Sequence, residues 1–137
     1  MYLIDTNVIS ESRKGENSNP GVRRFMDTLR RSGAAAFLSV VTIGEIRKGI
    51  ALLKLRGDKE QAARLDSWLK RILDVFEDRI LDFSLDEAQV WGQLLAQNAQ
   101  NPVDKQVAAT ALRYDLTVVT RNTRDFDAIV RTLNPFD

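Results

Sequence analysis

The chain contains no cysteine and no histidine, and the second absence excludes more than the first. Without cysteine there are no disulfides, no thiolate nucleophiles and no sulfur-ligated zinc sites. Without histidine the commonest general base is missing, and with it Ser-His-Asp triads and imidazole-ligated metal centres. Net charge is nearly absent too: 20 basic residues against 19 acidic ones leave +1. No global field marks a nucleic-acid or membrane partner, so any charged site has to be local. No apolar run approaches the roughly 20 residues that span a bilayer, and the first residues lack the charged-then-apolar order of a secretory signal. A cytoplasmic protein with no membrane partner is the expectation.

What is present describes an ordinary globular chain: 137 residues, 44% hydrophobic and 28% charged. That length fits one domain, able to bury roughly 70% of its unfolded surface. An enzyme of this composition does its polar chemistry with carboxylates, lysine, tyrosine, hydroxyls or a metal held by oxygen. Oxygen ligands suit hard cations such as Mg²⁺ or Mn²⁺.

Tyr2–Ile4 reads as a short strand, and Ser10–Pro20 (SESRKGENSNP) as a loop or frayed helical turn. Val22, Phe25, Met26 and Leu29 recur at helical spacing between Gly21 and Arg31. Ala34–Val41 (AAAFLSVV) is a second buried strand running into a helix over Ile43–Leu55 that ends near Gly57. Lys59–Phe76 repeats the helical pattern, and the two helices read as an antiparallel hairpin. Arg79–Phe83 is a candidate strand, Asp86–Asn98 and Pro102–Tyr114 are helices, and Leu116–Thr120 (LTVVT) is the clearest strand. The tail, DFDAIVRTLNPFD, fits either a short helix or a short strand before a loop. Strands alternating with helices predict an α/β fold on a parallel sheet, and no repeat or linker divides residues 1–137.

In open parallel sheets, sites form beyond the carboxyl ends of the strands. Asp5 stands there after the first strand, Ser39-x-x-Thr42-x-x-Glu45 after the second, and Thr120-Arg121-Asn122, with Asp125 close behind, after the last. Asp104 opens the helix that feeds the last strand. Each has a structural role open to it. Asp5 suits a cap, Thr42-x-x-Glu45 matches a capping box, and Asp104 is a first-turn acid behind Asn101 as cap and Pro102. Asn122 and Asp125 are common turn formers. Together they say more. Asp5, Glu45 and Asp104 are far apart in sequence, yet a doubly wound sheet would converge them. Carboxylates gathered in one cleft repel, and one is driven to protonate unless a cation neutralises them. A divalent metal resolves this, and metal-activated water is then the expected nucleophile.

Three stretches, YLIDTNVIS, SVVTIGEIRKGI and DKQVAATALRYDLTVVTRNTRDFD, with a terminal NPF, make the chain resemble PIN-domain proteins, specifically VapC-type toxins of bacterial toxin–antitoxin pairs. The resemblance spans nearly the whole length. It implies a single PIN domain over 1–137, a three-layer fold with a central parallel sheet between helices, and a Mg²⁺- or Mn²⁺-dependent endoribonuclease. It makes Asp5, Glu45 and Asp104 catalytic metal ligands, with Thr6 and Ser39 orienting the carboxylates. The family carries an acid or amide just after the last strand. Here Asn122 and Asp125 compete, with Asp125 assigned a weak catalytic contact to metal or water and Asn122 a hydrogen-bonding role. The resemblance also implies RNA as substrate, a VapB-type antitoxin whose tail covers the site, and homodimerisation. The Ile43–Leu55 and Lys59–Phe76 pair is the expected antitoxin groove, and its exposed apolar residues serve a homodimer equally well.

With near-zero net charge, RNA has to be held by local cations. Arg13, Lys14, Arg47, Lys48, Arg121 and Arg124 are the candidates, giving little base specificity and strong salt dependence. Lys105, beside Asp104, reads as a solvated helix position ahead of a phosphate contact. Tyr2, Tyr114, Trp68 and Trp91 read as packing residues ahead of base-stacking ones. Two rivals remain. A phospho-acceptor α/β domain wants an acceptor Asp after a central strand and a Lys after a late one, but Asp82 lies inside RILDF and the late strand ends in TRN. A non-catalytic nucleic-acid-binding module would show a broken acidic core, and here three acids are intact.

Overall fold

The computed structural model describes all 137 residues, Met1–Asp137. Five short strands, β1 (Tyr2–Ile4), β2 (Ala36–Ser39), β3 (Ile80–Leu81), β4 (Thr117–Val119) and β5 (Thr132–Leu133), form one sheet in the order β3-β2-β1-β4-β5. Every pairing is parallel. Six helices flank it: α1 (Thr6–Ser12), α2 (Pro20–Ser32), α3 (Val40–Leu55), α4 (Lys59–Val75), α5 (Leu85–Gln97) and α6 (Pro102–Tyr114). The tail resolves as β5 followed by an extended end rather than as a helix.

Alternation along the strands divides the core into two layers. Ile4, Ala36, Leu38 and Val119 point to one side, where Val8, Val22, Ile46, Ile50, Trp68 and Phe76 of α1–α4 and the turn after α4 pack on them. Leu3 and Val118 point to the other, against Val107, Ala108 and Ala111 of α6 and the fully buried Phe126. The small alanines of α6 let that helix lie close to the sheet. A three-layer sandwich results.

The chain leaves β1 toward β2 and β3, then returns to add β4 and β5 on the opposite side, so the direction of winding reverses between β1 and β4. That switch point is where a doubly wound sheet opens its crevice. The ladder runs to its lip: Asp5 N–H donates to the Val119 carbonyl at 2.9 Å and Thr120 N–H to Leu133 at 2.9 Å. Backbone pairing thus fixes Asp5 and Thr120 side by side at the end of adjacent strands.

Two boundaries differ from the sequence pattern. Residues 6–12 form α1 where a turn was expected; only Val8 and Ile9 are buried in it, and two adjacent apolar residues carry no helical periodicity. The helix after β2 begins at Val40 with Ser39 as its cap, three residues before the Thr42-x-x-Glu45 pattern suggests. Strand passes into helix with no loop. Thr42 and Glu45 therefore sit inside α3, and the capping-box role for Glu45 falls away.

Candidate active site

Asp5 is buried, 3% exposed, at the end of β1. Its Oδ1 accepts the Thr6 N–H at 2.9 Å, and its Oδ2 accepts from the Thr120 hydroxyl at 2.9 Å and Asn7 Nδ2 at 3.3 Å. It caps α1 and is held in place by both neighbours, so the capping role is real but does not exhaust the residue. Burial drives its carboxyl above the ordinary range; the hydrogen bonds from Thr6, Thr120 and Asn7 oppose this and the Glu45 charge reinforces it.

Glu45 points from α3 toward the same place. Its Oε1 accepts from the Thr6 hydroxyl at 2.7 Å, and Thr42 Oγ1, on a fully buried residue, lies 3.4 Å from that hydroxyl. One threonine thus ties α3 to the start of α1. Ser39, expected to orient a carboxylate, instead accepts the Val41 N–H at 3.0 Å and caps α3.

Asp104, in the first turn of α6, is the most perturbed acid. Its carboxyl is pushed up to about 6, first by burial, then by the charges of Asp5, Asp125 and Glu45, and by a hydrogen bond shared with Asp125. A first-turn position favours the carboxylate, but burial and the neighbouring negative charges act the other way, and the net shift is upward. Asp125 ends the 3-10 turn Thr123–Asp125, and its Oδ1 accepts from Asn101 Nδ2 at 3.3 Å. Asn101 sits at φ 53° and offers no cap bond to α6; its side chain serves Asp125 instead. Asn122 is exposed and contributes a backbone N–H to Thr120 Oγ1 at 3.0 Å, while its side chain makes no hydrogen bond. Of the two residues expected to compete for the fourth position, Asp125 is the one coupled to the acids.

Asp104 thus feels the charges of Asp5, Asp125 and Glu45, and Asp5 that of Glu45. The donors are all oxygen, which suits a hard divalent cation by chemistry. No three of the acids are gathered closely enough to hold an ion between them.

Two more residues complete the site: Thr120, which the sequence marks at a strand end without a role, and Asn7, which it does not single out. Thr120 is fully buried with its hydroxyl on Asp5. Asn7 donates to Asp5 and to Thr120 Oγ1 at 3.2 Å, and its Oδ1 accepts the Arg121 N–H at 3.0 Å. The only signal was position: an amide two residues past Asp5 and a hydroxyl at a strand end.

The six candidate RNA-binding cations separate. Lys14 is paired with Glu11 at 2.9 Å and Arg47 with Asp66 of α4 at 3.0 Å. Arg13, Lys48, Arg121 and Arg124 are exposed and have no acid partner. Lys105 is not solvated: it is 6% exposed and its ammonium donates to the Gln100 carbonyl, because the loop before α6 folds back over it. The aromatics all pack. Tyr2 meets Phe25 edge-on, Trp91 meets Phe83, Tyr114 lies under Arg113, and Trp68 is in the core.

Comparison with known proteins agrees with the fold. The family model described as the PIN domain matches residues 2–131. The toxin FitB of Neisseria gonorrhoeae is 36% identical, with 99% of both chains covered. The VapC ribonuclease Y4jK of Sinorhizobium fredii is 29% identical over 100% of this chain and 99% of its own length. A solved structure of FitAB bound to a DNA fragment superposes with a TM-score of 0.79 at 33% identity, covering 100% of this chain and 96% of that one.

Proposed function

The chain belongs to the PIN-domain family, and from that premise we propose that it is the toxin of a toxin–antitoxin pair, a divalent-metal-dependent endoribonuclease silenced by a VapB-type antitoxin. The observation that carries the proposal is the convergence on Asp104 of the charges of Asp5, Asp125 and Glu45, which with burial lifts its carboxyl to about 6. Acids are crowded like this at a cost to the fold, and a cation repays it. Relatives named as a toxin and as a ribonuclease supply the activity class.

In this reading the whole chain acts as one catalytic domain. Asp5, Glu45 and Asp104 hold Mg²⁺ or Mn²⁺, and Asp125 backs Asp104. The cation supplies Lewis acidity toward water and phosphate. The chain supplies placement: Thr6 Oγ1 fixes Glu45, while Thr120 and Asn7 fix Asp5. Bound there, a cation would favour the ionised form of Asp104, opposing the burial and like charges that raise its carboxyl. Arg13, Lys48, Arg121 and Arg124 hold the RNA backbone. This chemistry does not need a 2′-hydroxyl, so the preference for RNA rests on the family.

Besides the α3–α4 pair expected from the sequence, a second apolar surface is open to the antitoxin. α3 and α4 pack on each other, and a hollow of about 790 Å³ opens on the other flank of α4, lined by Ile9, Met26, Leu29, Trp68, Ile72 and Phe76; three arginines (Arg23, Arg30, Arg79) outnumber two acids (Glu16, Asp27) around it, Arg30 being paired with Asp27 at 2.6 Å. Such a groove takes the apolar face of an amphipathic segment with acidic flanks. Leu52, Leu55 and Leu73, exposed on α3 and α4, are left for a second copy of the chain. No helix is long and apolar enough to cross a membrane.

The test is cleavage of labelled total RNA by the purified protein with Mn²⁺ or Mg²⁺ against EDTA, with Asp5→Asn in parallel. Discrete products that need metal and vanish in the variant are expected. Equal cleavage by the variant would remove Asp5 from the site.

A further inference from the structure

Three arginines lie over aromatic rings: Arg79 over Phe76 at 5.0 Å, Arg113 over Tyr114 at 4.9 Å and Arg121 over Phe136 at 4.8 Å. The first two are occupied at their nitrogens. Arg79 donates to the Val75 and Ala36 carbonyls, and Arg113 is paired with Asp86 and Glu87. Arg121 differs. Its guanidinium is exposed and makes no hydrogen bond or ion pair. Glu11, an acid within electrostatic reach of Arg121, is committed to Lys14 at 2.9 Å and to the Asn19 N–H at 2.8 Å.

Its backbone, by contrast, is tightly placed. Asn7 Oδ1 accepts the Arg121 N–H at 3.0 Å, and the same asparagine donates to Asp5. The preceding residue, Thr120, donates to Asp5 as well. The Arg121 backbone thus starts at the lip of the acidic cleft, and its guanidinium extends over Phe136 within electrostatic reach of Glu11.

The ring beneath it is fixed by a seated tail. Asn19 Oδ1 accepts the Asp137 N–H at 3.1 Å, and Asn134 Oδ1 accepts the Phe136 N–H at 3.0 Å. Arg24 grips Asp137 at 2.6 Å. Gly21 makes room: a Cβ there would fall 2.1 Å from the Pro135 carbonyl oxygen. Stacking occupies the flat face of a guanidinium and leaves its N–H edge free, which is the edge that engages phosphate bidentately.

We propose that Arg121 is an RNA-phosphate-binding residue of the cleavage site and that Phe136 is its positioning residue, making the Asn134–Asp137 tail part of the substrate grip. This rests on the ribonuclease reading above and names a contact within that site.

The test is binding of a fluorescein-labelled 20-nucleotide single-stranded RNA to the full chain in EDTA, read by anisotropy across a salt series. Manganese-dependent cleavage of the same RNA is measured alongside, and a thermal melt checks each variant. Arg121→Gln should weaken binding about tenfold and lower the salt slope by about 0.7, the value for one phosphate contact on a single strand. Phe136→Leu should weaken binding about two- to fivefold, in line with an exposed cation–π contact, raising KM more than it lowers kcat. Phe136→Tyr should restore wild-type binding, and Arg31→Gln, distant and unpaired, should match wild type. If wild type binds and cleaves RNA while Arg121→Gln binds equally well, the phosphate contact is refuted and the ribonuclease reading stands. If Phe136→Leu, with its melt intact, binds like wild type, the positioning role is refuted. If wild type neither binds nor cleaves RNA, both readings fall.

Discussion

Asp104 shows how a residue can be placed against its own stability. Its carboxyl titrates near 6 in the fold against an ordinary 3.8, so between those values the metal-free fold holds a proton that the unfolded chain has released. Stability of the metal-free protein therefore falls as pH rises from about 4 to about 6, and levels off above. The shift amounts to ~3 kcal/mol taken at face value, and to about 1 kcal/mol once partial exposure and solvent screening are allowed for. Asp104→Asn should accordingly stabilise the metal-free protein at pH 7.5 by about 1 kcal/mol in urea unfolding, while abolishing cleavage. Equal or lower stability of the variant would mean that the crowding energy is not there. Thr6 makes a second case. Its hydroxyl holds Glu45 Oε1 at 2.7 Å, and Thr6→Val should cut metal-dependent cleavage about 10–100-fold with the melting temperature little changed. These placements were only partly legible in the sequence. Asp5, Glu45 and Asp104 stood out because carboxylates at strand ends need a reason. Asn7 did not, and Thr120 was marked only by its place at a strand end, because an amide and a hydroxyl there are ordinary turn chemistry until their partners are seen. Lys105 misled, since burial by a fold-back loop leaves no trace in local pattern.

At the level of elements, long periodic segments read well. α4 and α6 run Lys59–Val75 and Pro102–Tyr114, as their apolar spacing implies, and α6 closes on Asp115 in the left-handed region at φ 54°. Short elements read poorly. α1 buries two adjacent residues and has no stripe, and β3 and β5 have two residues each; pairing partners, not propensity, make them strands. The cap of α3 was displaced because a Ser/Thr-x-x-Glu pattern occurs inside the helix as well as at its start. The tail belongs to this scale too. Gly21 is the only residue type that leaves space for Pro135, so Gly21→Ala should lift the tail and weaken RNA binding as Phe136→Leu does, although α2 holds none of the acids. Anisotropy on the same labelled RNA checks it, and unchanged affinity would separate tail seating from the grip.

For the whole molecule, a net charge of +1 means that no general field draws RNA in. Binding depends on a few cations placed around the acidic cleft. The hollow beside α4 lies on the helix layer opposite α5 and α6, so inhibition and catalysis can be altered separately. Ile72→Glu, in that hollow, should leave cleavage near wild type and weaken neutralisation by the cognate antitoxin about 100-fold, measured as the antitoxin concentration that halves RNA cleavage. Loss of cleavage with neutralisation intact would place the groove elsewhere.

The central claim is that Asp5, Glu45, Asp104 and Asp125 form one cation site. Titration calorimetry of Mn²⁺ into the protein at pH 6, in two buffers of different ionisation enthalpy, tests it most directly. Saturable binding with release of a fraction of a proton, lost in Asp104→Asn, is the predicted result. Binding without proton release that persists in Asp104→Asn and Asp5→Asn would contradict it.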